Sequence, residues 1–367
     1  MTTLQESRLS DFAPSRSSAT AAITRQRQPM NVEYPFEALD TFATPNEQFY
    51  IRSHCPFPPI DASTWRLRIE GHVERPCDLN LDDLRHMATE DRYATLECAG
   101  NGRVFLVPQV DGAQWELGAV SNALWTGVPL CDLLERVGVR SGAVEVMFEG
   151  ADLGPAKEKP TPPGEIHYAH SIPMRKVPDA LLALEMNGHA LPLAHGFPLR
   201  AVVGGWYGMA SVKWVHRIVV LEQAFRGYYR TVDYAYWSEQ AGNPVHVPIE
   251  EMSCKAQIAR PAKSEIVQRD SDYVVTGAAW TGDDDVVRVE VSTDGGKTFS
   301  DATLLGDPVR HAWRLWIFHW HTPARPGPAT LLARATDSRG RTQPFERDWS
   351  HGTYVINHML PCECVIE

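Results

Sequence analysis

Apolar and polar residues alternate most clearly at Trp65-Arg-Leu-Arg-Ile-Glu70, a pattern that predicts a half-buried strand. The period changes at Asn80-Leu-Asp-Asp-Leu-Arg-His-Met87, where Asn80 is suited to an N-cap and two acids fall in the first turn, so a short helix is expected. Residues 93–97 resume as a strand. Gly127-Val-Pro-Leu-Cys-Asp-Leu-Leu-Glu-Arg-Val-Gly138 predicts a second helix, with Pro129 near its first turn and Gly138 as its stop. Strand-like runs recur at 143–148, 199–203 and 215–221. The stretch 150–164 is rich in Pro, Gly and Lys and reads as a long surface loop near a site entrance. Strands and helices mix without strict βαβ alternation, which predicts an α+β fold rather than a doubly wound sheet.

Helix signals vanish after a boundary near 248–255. Beyond it lie Tyr273-Val-Val-Thr-Gly-Ala-Ala-Trp280, then Val287-Arg-Val-Glu-Val-Ser292, with Asp294-Gly-Gly296 as a hairpin turn, then Trp313–Trp320 and Thr330–Ala335. Short strands punctuated by turns over about 110 residues predict an all-β immunoglobulin-like sandwich. The expected organisation is a flexible lead-in at 1–32, a main α+β domain at 33–248 and the sandwich at 249–367.

Of the 367 residues, 43% are hydrophobic and 22% charged, too apolar a balance for a disordered chain. The formal net charge of -11 disfavours nucleic acid and acidic membrane as partners. An anionic substrate would therefore need a local basic funnel. The first thirty residues hold no apolar run of signal-peptide or membrane-span length, so a cytoplasmic protein is expected. Seven cysteines, at 55, 77, 98, 131, 254, 362 and 364, include no C-x-x-C pair, which argues against an attached c-type haem and suits a reducing compartment. Cys362 and Cys364 read as part of an exposed, flexible tail.

Candidate chemistry concentrates at Thr95-Leu-Glu-Cys-Ala-Gly-Asn-Gly-Arg103. Cys98 leaves a strand into a segment whose two glycines tolerate sharp bends. A lone cysteine is by default an inert core residue. As a thiolate, however, it is a soft ligand for a redox-active metal, with Arg103 near enough to greet an anion.

Seven segments in order resemble the sulfite oxidase family: Phe49-Tyr-Ile-Arg-Ser-His54, Glu97–Arg103, Trp115 to Trp125, Glu185-Met-Asn-Gly188, His195-Gly-Phe-Pro-Leu-Arg200, Val212-Lys-Trp214 and Asp233-Tyr234. With the tail, the resemblance covers roughly residues 45 to 360. It implies molybdenum on a molybdopterin cofactor, with Cys98 as the protein's ligand and no haem in this chain. It places Arg52 and Arg103 as forked donors for a small oxyanion, Trp115 as an aromatic wall and Tyr234 as a hydrogen-bonding phenol. His54, Ser171, His195, Arg200 and Lys213 resemble positions that hold the cofactor, with Tyr50 and His167 nearby. The implied reaction is oxidation of sulfite to sulfate, with electrons leaving for an external acceptor such as a cytochrome or dioxygen, and the tail implies a homodimer. Two departures stand out. Gly102-Arg103 replaces a pair of arginines, and Trp349-Ser-His-Gly352 replaces a third, so that His351 would stand in with a titratable charge. Gly118-Ala-Val-Ser-Asn122 resembles assimilatory nitrate reductases as much as sulfite oxidases, which keeps reduction of nitrate or another S- or N-oxide open. A non-catalytic interaction protein is the reading of another class, and the retention of Cys98, His195 and Arg200 tells against it.

Overall fold

The computed structural model describes residues 21–157, 160–240 and 242–367. Residues 1–20 of the expected flexible lead-in lie outside it, but the lead-in's remainder is paired: β1 (Ile23–Gln26) and β2 (Asn31–Glu33) form an antiparallel sheet with β3 (Ile51–Arg52). Buried Asn31 fixes this sheet, its amide oxygen accepting from Arg52 Nη1 and from the Ser53 N–H.

Leu67 and Ile69 are buried and Arg68 between them exposed, the alternation of β4 (Leu67–Gly71). β5 (Cys77–Leu79) leads into α1 (Leu81–Arg85), where Asn80 and Asp83 close a reciprocal capping box. Next come β6 (Glu90–Glu97), β7 (Val120–Pro129) and α2 (Leu130–Val137), which Gly138 ends. β8 (Glu145–Pro155) and β9 (Glu165–Pro173) form a hairpin whose pairing is irregular between Glu149 and Leu153, a bulge that re-aims Asp152 toward the interior. The loop expected at 150–164 is therefore shorter, because its first residues continue the strand. β10 (Ala180–Met186), β11 (His189–Ala190), β12 (Arg200–Val203) and β13 (Val215–Leu221) complete two five-stranded sheets, β11-β10-β7-β6 with β12 on β10, and β5-β4-β13-β8-β9. A hairpin of β14 (Ala235–Gln240) and β15 (Asn243–Pro248) follows.

The tail forms two sheets around one core. β16 (Lys255–Arg260), β18 (Asp272–Trp280), β21 (Thr303–Leu304) and β22 (Arg314–His321) make the first; β17 (Ile266–Val267), β19 (Val286–Ser292), β20 (Ser300–Asp301), β23 (Gly327–Asp337) and β24 (Cys362–Ile366) make the second. Val275 and Trp316 from one sheet meet Val289, Leu331 and Ala335 from the other. The C-terminus is not a free tail: Cys362–Ile366 pairs with two strands and buries Cys364 and Ile366. Strand makes up 42% of the structure and helix 12%, so the helical part of the expected α+β fold amounts to two short helices and several single turns. No helix among the described residues is long and apolar enough to cross a membrane.

Candidate active site

β6 ends at Glu97, and the turn that follows is closed by its own backbone: Cys98 N–H donates to Ala119 O at 2.9 Å and Asn101 N–H to Cys98 O at 2.8 Å. Gly102, at φ 94°, takes the left-handed conformation that reverses the chain. Gly100 has a different task. A Cβ there would lie 2.3 Å from Arg103 Nη2, and one at Gly112 would lie 2.6 Å from Arg103 Nη1. The guanidinium is thus gripped between two glycines, donating to Thr353 O at 3.1 Å and to Ala113 O at 2.7 Å. Cys98 is a free thiol, mostly buried, and it lines two cavities at once.

The inner cavity is lined by Tyr50, Arg52, His54, His195, Arg200 and Lys213, among others. Arg200 is 6% exposed, its Nη1 donates to His195 O at 3.2 Å, and its buried Nε has no partner. Burial brings its pKa down to about 10. Lys213 Nζ donates to Ser53 Oγ and Ala194 O, and burial, reinforced by repulsion from Arg200, pushes its pKa well down. His195 Nε2 lies 3.2 Å from Asn46 O, and burial and the same two cations lower its pKa to about 3, so its ring is neutral. The bulge places Asp152 on this cavity, where desolvation pushes its carboxyl up against the pull of Lys213. Buried cations facing a cavity with an unpartnered N–H describe a site for an extended anion.

The outer cavity shares Arg52, His54, Cys98 and Tyr234 with the inner one, and Lys157 and Arg25 line it too. Tyr234 Oη and His54 Nε2 lie 2.8 Å apart. His54 is stacked on Tyr168, and burial, then Arg52, holds it neutral with a pKa well below the ordinary value. Asp233 is 3.8 Å from His54 Nε2 and accepts from Tyr354 Oη at 2.7 Å. Burial raises the Asp233 pKa, and the Tyr354 bond works against that rise. The Tyr354 ring also sits 5.2 Å over the Arg103 guanidinium. Arg103 lines the outer cavity, with two of its donors given to backbone carbonyls and one face to a ring, and Arg52 is the arginine common to both cavities.

Residues 54–229 match the family described as oxidoreductase molybdopterin binding domain, and 246–359 match the Mo-co oxidoreductase dimerisation domain. Sulfite oxidase of Arabidopsis thaliana is 31% identical over 87% of this chain and 86% of its own length. The chain belongs to the sulfite oxidase family. Mitochondrial sulfite oxidase of Rattus norvegicus is 34% identical over 87% of the chain, which spans only 60% of that relative. A nitrate reductase (NADH) of Solanum lycopersicum is 32% identical over 88% of the chain and 39% of its own length. Among solved structures, the sulfane dehydrogenase SoxCD of Paracoccus pantotrophus covers 96% of this chain and 88% of its own, at a TM-score of 0.78 and 27% identity. The molybdenum cofactor of the sulfite oxidase family fits the inner cavity on this chain's own terms, because a long anion satisfies the buried Arg200 Nε and the desolvated Lys213, which Asp152 offsets only in part, and the cavity ends at a free thiol.

Four residues expected at a sulfite oxidase site lie elsewhere. Trp115 is 0% exposed and lines neither cavity; it packs in the core cluster that includes Phe49, Tyr50 and Cys98, its indole N–H without a partner. Ser171 Oγ donates to Glu145 Oε2 at 2.7 Å inside the β8–β9 sheet, and His167 Nδ1 lies 3.0 Å from Gly150 O at the bulge. His351 packs edge-on against Tyr236, and it too lines neither cavity. The tail residue that enters the outer cavity is instead Tyr354, three positions on. Sequence reasoning missed it, together with Asp152, Tyr168 and Lys157. The one available signal was Asp233, which directly precedes the motif tyrosine and needs a partner when buried.

Proposed function

We propose that this protein oxidises sulfite, or a small sulfur oxyanion of similar shape, adding one oxygen from water and passing two electrons singly to an external acceptor. One observation carries the reading: Cys98 stands where a buried cationic cavity meets a second cavity that holds Arg52, Tyr234 and Lys157. When bound, the molybdenum cofactor supplies the oxygen-atom transfer and takes up the electrons. The chain's part is to hold and orient. Arg200, Lys213 and His195 bind the cofactor's anionic end, and Cys98 is its protein ligand. Arg52 offers forked donors to the substrate's oxygens, and Tyr234, held by neutral His54, donates its phenol proton. Lys157 at the rim supplies local positive potential to a chain of net charge -11. We infer further that residues 249–367 form an immunoglobulin-like unit through which two chains pair, a state that light scattering reads as twice the chain mass.

The likeness to a nitrate reductase supports a second reading, reduction of nitrate at the same pocket. Metal-loaded protein is assayed for sulfite-dependent reduction of a one-electron acceptor. Rapid, saturable turnover is the expected result. A protein idle with sulfite that oxidises a reduced viologen when given nitrate would replace the first reading with the second.

A further inference from the structure

Glu97, immediately before the cysteine, is 2% exposed, yet its carboxylate is satisfied largely from the tail. Oε1 accepts from Lys255 Nζ at 2.9 Å and from Asn101 Nδ2 at 3.1 Å, and Oε2 accepts from Trp280 Nε1 at 2.8 Å. Lys255 opens β16 and Trp280 closes β18; they pair with each other across the tail's first sheet, and both are buried. The same loop is held again at Ala99, whose carbonyl accepts from Val355 N–H at 2.8 Å, and at Arg103, which donates to Thr353 O. Arg347 in turn bonds Gly352 O, Tyr354 O and Val355 O, fixing the segment that supplies these contacts. Among the described residues, the segment 97–103 is thus gripped by the tail on both sides of Cys98.

We propose that Lys255 and Trp280 are positioning residues for Cys98: acting through Glu97, they set the direction in which its sulfur faces the two cavities. The tail is then a part of the metal site as well as a unit named for dimerisation. The geometry supports this because Glu97 and Cys98 are consecutive. A carboxylate fixed at both oxygens by buried donors fixes the peptide that carries the thiol. Removing Lys255 leaves a buried charge with two neutral donors. Trp280→Phe frees one oxygen and keeps an aromatic ring, though a smaller one, in the buried place of the indole.

The test uses full-length, metal-loaded Trp280→Phe and Lys255→Met, with molybdenum content measured in each. Lys176→Met is the control, since Lys176 also joins main domain to tail through a part-buried ion pair, with Asp283, but touches neither cavity. We expect Trp280→Phe and Lys255→Met to shift the sulfur-to-metal charge-transfer absorption and the electron paramagnetic resonance signal of the one-electron-reduced metal. Turnover per molybdenum should fall about ten- to a hundredfold. Lys176→Met should lose stability and keep the parent spectra and turnover. The spectra report the sulfur's geometry whatever the substrate is, so they stand apart from the sulfite reading. Parent-like spectra in Trp280→Phe and Lys255→Met, with only a lowered Tm, would overturn the proposal. If Lys255→Met does not fold, Trp280→Phe decides alone.

Discussion

Gly100→Ala adds one methyl group, and the structure says where it goes. The new Cβ would lie 2.3 Å from Nη2, 2.5 Å from Cζ and 2.7 Å from Nη1 of Arg103. The guanidinium would have to retreat by roughly 1 Å to reach ordinary contact. On a free side chain that retreat is cheap. Here Gly112 also lies close, so that a Cβ on it would stand 2.6 Å from Nη1, and the two backbone bonds and the Tyr354 ring fix the plane. Displacing Arg103 breaks both bonds, each worth about 1.5–3 kcal/mol for a charged donor, so the cost is about 3–6 kcal/mol. Urea unfolding followed by tryptophan fluorescence measures it, and a Tm lowered by about 4–8 °C should accompany it. The explanation also requires coupling. In an Arg103→Met background the same Gly100→Ala change should cost less than about 1 kcal/mol, because the clash is gone. A cost within about 0.5 kcal/mol of zero in the parent, or an equal cost in both backgrounds, would refute the sandwiched-guanidinium argument.

Three further outcomes are expected. Lys213→Met removes a desolvated cation repelled by Arg200 and Arg52 but drawn to Asp152, so the heat stability of the cofactor-free protein should change little while the molybdenum recovered with the protein falls; both are read on one preparation. Tyr354→Phe removes the bond that holds the Asp233 pKa down against burial, so that pKa rises further; the acid limb of the kcat/KM profile for sulfite should move to higher pH. His170 is 0% exposed, and burial lowers its pKa to about 3 from 6.5. The unfolded chain therefore binds the extra proton between those values, and stability falls as pH drops through that window by about 1.4 kcal/mol per unit. Urea unfolding at pH 7.5, 6 and 5 should show stability falling below pH 6.5, with His54 and His195 acting in the same direction, and His170→Phe should flatten the fall by the His170 share.

What could be read from the sequence follows from how local each feature is. The strand before Cys98, both helices and the Gly138 stop depend on neighbours within a few positions, and period and cap chemistry find them. The inner-cavity donors were legible because His195 and Arg200 flank one short turn. Trp115 was not, since a motif carries residue identity but not the face on which a ring falls, and an indole beside Cys98 can turn to the core as well as to the pocket. Ser171 and His167 fall on a strand opposite a bulge, where a shift in register decides what each side chain meets. The C-terminal strand was readable after all: burial alternates along Cys362-Glu-Cys-Val-Ile366 with period two, a pattern too short to stand out at a chain end.

Tyr354 and Lys255 are the harder cases, and they share a cause. Tyr354 reaches Asp233 across 121 positions and Lys255 reaches Glu97 across 158, so no window of sequence contains both partners. Each pair joins a residue beside the metal-ligand candidate or the funnel to one on the tail. The tail strands were predicted from an alternation that reports only in and out; Lys255 opens a strand buried at five successive positions, which shows no such alternation, and a buried lysine signals a partner without naming it. The missing charge had to lie on another element. A buried, strand-end glutamate directly before a candidate ligand was the place to look, because burying it unpaired would have cost several kcal/mol, far more than the turn after it could supply.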